Sequence, residues 1–126
     1  MSVTPIVGPM RVCAGVDWAK DDHVVCILGT GGEAVDRFTI THTAAGLKRL
    51  VVRLLAAGVA EVGIERGDGP VVDALLQAEL TVLVISPSQV KNLRSRYGSA
   101  GNKDDRFDAY VLADVVRTDR ARLRGA

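Results

Sequence analysis

Aromatic residues are scarce in this chain, with two Phe, two Tyr and one Trp among 126 residues, which leaves the core to Val, Leu, Ile and Ala. Cysteine is equally rare. Cys13 and Cys26 form neither a CxxC pair nor part of a Cys/His cluster at zinc spacing, and each lies in an apolar run, so both read as buried thiols. No stretch approaches the ~20 apolar residues of a membrane span. The opening residues lack the basic leader and apolar run of a signal peptide, so a cytoplasmic protein with no membrane partner is expected. Neither sign of charge dominates, with 16 basic and 15 acidic residues, so only local clustering can argue for nucleic acid. What is present is 48% hydrophobic residues in a chain of one-domain length, enough to bury a core without disulfide or metal staples.

Residues 1–10, with two prolines, read as a flexible N-terminal arm, and the domain proper as 11–126. Val12 to Val16 and Val24 to Leu28 are short apolar runs around a polar turn and predict an antiparallel hairpin. Ala34 to Ile40, after the turn Gly29-Thr30-Gly31-Gly32, predicts a third strand. The period then changes. Leu47, Leu50, Val51, Leu54 and Leu55 form the stripe of an amphipathic helix, with Thr43 as its cap and Gly58 as its stop. Val62-Gly63-Ile64 predicts a strand, Pro70 to Glu79 a helix and Thr81 to Ile85 a strand. Ser86-Pro87 starts a helix running to about Tyr97, and a last helix spans about Asp104 to Thr118. The order implies an α/β fold: a mixed five-stranded sheet, its first three strands antiparallel, flanked by helices and extended in parallel by right-handed crossovers.

The RNase H-like fold of nucleases and integrases and the actin-like fold of ATPases share this order, and both end the first strand with an acid. Asp17 stands there. By itself such an Asp is an ordinary turn-former, and Glu65, after Val62-Gly63-Ile64, an ordinary exposed carboxylate. A right-handed crossover laying the fourth strand beside the first would bring the two together. In Lys103-Asp104-Asp105-Arg106-Phe107-Asp108-Ala109, Asp105 and Asp108 share one helical face. Acids in a first helical turn also serve the dipole and cap, which suits Asp104. Four clustered carboxylates repel one another unless hard divalent cations neutralise them. Two Mg²⁺ or Mn²⁺ ions about 4 Å apart suit in-line displacement at phosphorus. An actin-like ATPase would want glycine and Ser/Thr after the first acid to hold phosphate, and Trp18-Ala19-Lys20 supplies neither.

Four segments carry a resemblance to the DEDD transposases of bacterial insertion sequences. They are Gly15-Val16-Asp17-Trp18-Ala19-Lys20, Ile64-Glu65-Arg66-Gly67-Asp68-Gly69, Val84-Ile85-Ser86-Pro87-Ser88-Gln89-Val90-Lys91 and Lys103 to Ala109 with the following Leu112-Ala113-Asp114. The resemblance implies an RNase H-like (RuvC-like) catalytic domain of a bacterial DNA transposase or recombinase. It assigns Asp17, Glu65, Asp105 and Asp108 as catalytic, metal-binding acids, with metal-dependent phosphodiester cleavage or strand transfer as the activity. It also implies DNA and a guide (bridge) RNA as partners, homo-oligomers in the full-length protein, and a C-terminal serine-bearing domain beyond this chain. An alternative is a catalytically silent nucleic-acid-binding or assembly fragment.

Lys91, Arg94, Arg96, Lys103 and Arg106 are candidate phosphate contacts, although a solvated helix face has the same composition. Arg117, Arg120 and Arg124 suggest a helical stripe at the end. His23 and His42 look isolated, Trp18 a hydrophobic anchor, Tyr97 a helix-end packing residue and Asp68-Gly69-Pro70 a helix-starting turn. The loop Gly98 to Asn102 is a candidate substrate cover.

Overall fold

The computed structural model describes residues 12–18, 21–65, 67–96, 105–119 and 124–125; for 93–96, 105–108, 119 and 124–125 the description covers backbone alone. The elements are β1 (Val12–Asp17), β2 (Asp22–Leu28), β3 (Ala34–Thr41), α1 (Ala44–Ala56), β4 (Val59–Ile64), α2 (Pro70–Gln77), β5 (Thr81–Val84), α3 (Pro87–Arg96), α4 (Asp105–Asp119) and β6 (Arg124–Gly125). They form one mixed sheet in the order β3-β2-β1-β4-β5-β6. β1, β2 and β3 make the antiparallel meander, and β4 and β5 add in parallel beyond β1.

The five strands expected from sequence are present, with a sixth at the edge. Arg124 pairs antiparallel with Val84 of β5. The expected terminal helical stripe therefore does not form: α4 ends at Asp119, and Arg124 lies on a strand. Arg117 turns back onto its own helix, its guanidinium 2.9 Å from the Asp114 carboxylate.

Strand alternation divides the core. Ala14, Val16, Val25, Ile27, Val62 and Ile64 pack on one face with Leu50 and Leu54 of α1 and Val71, Val72 and Leu75 of α2. On the other face Cys13, Leu83 and Ile85 pack with Val111, Leu112, Val115 and Val116 of α4. Cys26 and Leu28 meet Ala109 and Ala113 there. Both cysteines are buried, as expected, and neither is in a disulfide.

Local rules account for the element ends. Thr43 caps α1, its hydroxyl accepting from Gly46 N–H at 3.0 Å, and Gly58 leaves the helix at φ +79°, a conformation that favours glycine. β4 begins three residues before the apolar run Val62-Gly63-Ile64, because Glu61 is only 5% exposed and its charge hides the strand from a hydrophobic pattern. At the start of α3, Ser86 Oγ accepts from Gln89 N–H at 3.2 Å while Gln89 Oε1 accepts from Ser86 N–H at 2.9 Å. This is a reciprocal capping box.

Candidate active site

β1 and β4 run parallel with Val16 opposite Ile64. The next residue of each chain is Asp17 and Glu65, so the register sets the two acids side by side at the carboxyl edge of the sheet. Both are half-buried. Cys13 and Gly15 of β1 and Gly63 of β4 lie on the face covered by α4, and alternation sends Asp17 and Glu65 to that same face.

α4 reaches this edge because two glycines let it lie directly on the strands. A Cβ at Gly63 would stand 2.6 Å from Val116 and 2.8 Å from the Leu112 carbonyl oxygen, and one at Gly15 would collide with the Ala109 and Ala113 backbone. The direction of the helix follows from its ends. Arg117, near its C-terminus, packs against Gly32 in the β2–β3 turn, which lies beside the start of β1, whereas Ala109 sits over Gly15, two residues from Asp17. α4 thus runs antiparallel to β1. At about 1.5 Å per residue its opening residue lies about 6 Å beyond Ala109, toward the edge of Asp17 and Glu65. The backbone of Asp105 and Asp108 occupies that opening turn; their side chains are outside the described residues.

The other expected site residues divide in three. Lys91 is exposed on α3, which starts just after β5 at the same edge, where Ile85 N–H donates to Ile64 O at 2.8 Å. Arg94 and Arg96 lie on the α3 backbone and Arg106 on that of α4, with side chains outside the described residues. Lys103, Asp104, Tyr97, Arg120, the loop Gly98 to Asn102 and the arm 1–10 also fall outside them. Asp68 and Gly69 precede α2, which has Pro70 at its first position, as the turn reading expected.

Sequence reading missed one cluster near the acids. His23 is fully buried, and its Nε2 hydrogen-bonds His42 Nδ1 at 2.8 Å across 19 residues. The Trp18 ring lies 5.7 Å from His23 and 6.2 Å from His42, centroid to centroid. Burial, then the field of His42, push the His23 pKa below its ordinary 6.5, while Asp22 opposes them. The one signal in the sequence was parity: His23 shares the inward side of β2 with Val25 and Ile27. On the α4 face, burial pushes the Cys26 thiol up in pKa, against the pull of Arg37, so it stays protonated and inert.

Residues 14–126 match the model of the IS110-type DEDD transposase family, described as Transposase. The chain belongs to that family. This transposase domain is 37% identical over 112 residues to a Sinorhizobium fredii protein named as the transposase y4uE, a match covering 84% of the chain. It is 34% identical over 115 residues, 87% of the chain, to a Streptomyces coelicolor protein named as the mini-circle transposase for IS117. The transposase domain spans under a third of those relatives, 31% and 28% of their lengths. Its fold is that of RuvC. Thermus thermophilus RuvC in complex with a Holliday junction substrate superposes with a TM-score of 0.64 at 15% identity, covering 92% of this chain and 99% of that one. A second Thermus thermophilus RuvC structure gives 0.63 at 16% identity, covering 92% and 100%. Among the described residues no helix is long and apolar enough to cross a membrane.

Proposed function

We propose that this domain is the metal-dependent nuclease unit of a DNA transposase, in which Asp17, Glu65, Asp105 and Asp108 hold two Mg²⁺ or Mn²⁺ ions. The reading is carried by the parallel register of β1 and β4, which sets Asp17 beside Glu65 at the edge toward which α4 starts. Oxygen donors alone suit hard divalent cations, and the two at the strand ends, Asp17 and Glu65, are half-buried. When bound, such a pair of cations activates an attacking water or hydroxyl and stabilises the leaving oxygen at phosphorus.

The chain's own groups do the rest. Asp17 ends β1 and Glu65 follows the last residue of β4, so the ladder that pairs Val16 with Ile64 fixes the spacing at which the two acids begin. Asp105 and Asp108 come from a helix end whose dipole favours negative charge and eases their crowding. Lys91, Arg94, Arg96, Lys103 and Arg106 serve as phosphate contacts that hold the strand against the acids. Branched DNA is the substrate class to try first, because the RuvC neighbour is described with a Holliday junction substrate. For the whole protein the same reading includes a guide RNA, assembly into homo-oligomers and strand transfer.

Calorimetric titration of Mn²⁺ into the unmodified chain and Asp105→Asn, followed by incubation with branched DNA, tests this. Saturable binding weakened by the substitution, with cleavage only when metal is present, is expected. Metal binding without turnover on any DNA would favour a silent binding module, and no binding in either chain would remove the carboxylate site.

A further inference from the structure

Beneath the first acid, on the face of the sheet away from α4, three side chains meet that the carboxylate site does not use. Asp17 and Trp18 are consecutive, and alternation sends them to opposite faces. Trp18 packs against the core cluster shared with α1 and α2, where it meets the rings of His23 and His42. The two imidazoles stand nearly perpendicular, 80° apart, with centroids at 5.0 Å. His42 N–H also donates to Asp21 O at 2.8 Å. Three segments, the end of β1, the start of β2 and the link from β3 to α1, are thus fastened at one point.

We propose that the hydrogen-bonded His23–His42 pair is a positioning device for Asp17, clamping Trp18 and through it the last residue of β1. The proposal rests on the carboxylate reading above. An aliphatic pair would fill the same volume, but burying an imidazole is costly unless it is hydrogen-bonded, and the bond supplies what aliphatic contact lacks, a fixed direction between two segments. Trp18, edge-on to His42 and tilted against His23, takes its orientation from that pair. Because Asp17 is the adjacent residue, a loosened indole moves the backbone that carries the carboxylate.

Trp18 is the chain's single tryptophan, so its fluorescence reports on this point alone. Mn²⁺ is added to the unmodified chain, Asp17→Asn, His42→Ala, His42→Asn and His23→Leu, with urea unfolding run on each to confirm a cooperative fold. The unmodified chain is expected to show saturable quenching of Trp18, and Asp17→Asn to lose it. His42→Ala and His23→Leu should weaken Mn²⁺ binding by about tenfold, as supporting partners of metal ligands do, and speed the decay of Trp18 anisotropy. His42→Asn, whose amide can stand near the Nδ1 position, should recover most of the affinity. Affinities of His42→Ala and His23→Leu within about twofold of the unmodified chain, well short of that loss, would overturn the positioning role while leaving the carboxylate site standing. Failure of His42→Asn to improve on His42→Ala would do the same. Absent saturation in the unmodified chain, or quenching that survives in Asp17→Asn, overturns both readings.

Discussion

Gly15 lies against the carbonyl oxygen of Ala109 so closely that a Cβ there would come within 2.2 Å of it. A backbone oxygen cannot swing aside as a side-chain tip can, so Gly15→Ala must lift α4 from the sheet. Overpacking of this kind costs about 1–3 kcal/mol, and urea unfolding should show a loss in that range. An unchanged midpoint would mean that α4 does not sit where the glycine allows it. On the proposed reading α4 brings the second pair of acids, so the same variant should weaken Mn²⁺ binding more than its stability loss explains.

Metal should stabilise the folded chain. The four proposed ligands run from residue 17 to residue 108 and would be gathered only in the native state, so a metal they share would bind folded protein alone. Mn²⁺ at about a hundred times its dissociation constant should add about 2.7 kcal/mol, read as a rise in melting temperature. Glu65→Gln and Asp108→Asn should abolish most of that rise, and cleavage of branched DNA should fall to the level of a metal-free control. An equal rise in the variants would point to binding elsewhere.

Much of this arrangement was legible in the sequence, for reasons particular to each part. The helix stripe, its cap Thr43 and its stop Gly58 are local signals, and the structure bears them out through Leu47, Leu50 and Leu54, whereas Leu55, expected in the stripe, is 51% exposed. Asp17 and Glu65 were legible because a strand end is a local property and parallel pairing follows from a right-handed crossover. Three features were not. The start of β4 was masked by the buried charge of Glu61, and β6 has only two residues. The His23–His42 bond joins side chains from different strands' ends, a pairing set by the register of β2 on β3 that no single-chain periodicity contains.

Buried His23 sets a pH dependence with a definite sign. Its folded pKa is lowered from 6.5, chiefly by burial, so the unfolded chain binds the proton more readily. Stability from this group is complete above about pH 6.5 and is lost as pH falls through the lower folded value. Unfolding curves between pH 7 and 5, about the range in which an imidazole titrates, should show a decline that His23→Leu flattens. Parallel curves for the two chains would remove His23 as the source.

Thr43→Ala should cost about 1 kcal/mol, the ordinary value of a helix cap, because it strips the acceptor from Gly46 N–H. The loss should appear in urea unfolding, while Mn²⁺ affinity, set at the far face of the sheet, stays unchanged. A fall in metal affinity would instead tie the start of α1 to the acids through neighbouring His42.

The glycine seat under α4 also orders events during synthesis. A chain leaving the ribosome presents Asp17 and Glu65 while the last helix is still being made, and those two acids acquire their proposed partners only when Ala109 settles over Gly15. A centre divided in this way, if the proposed four acids form it, would hold only half its ligands in a nascent or partly folded chain, so metal binding would arrive together with the last helix.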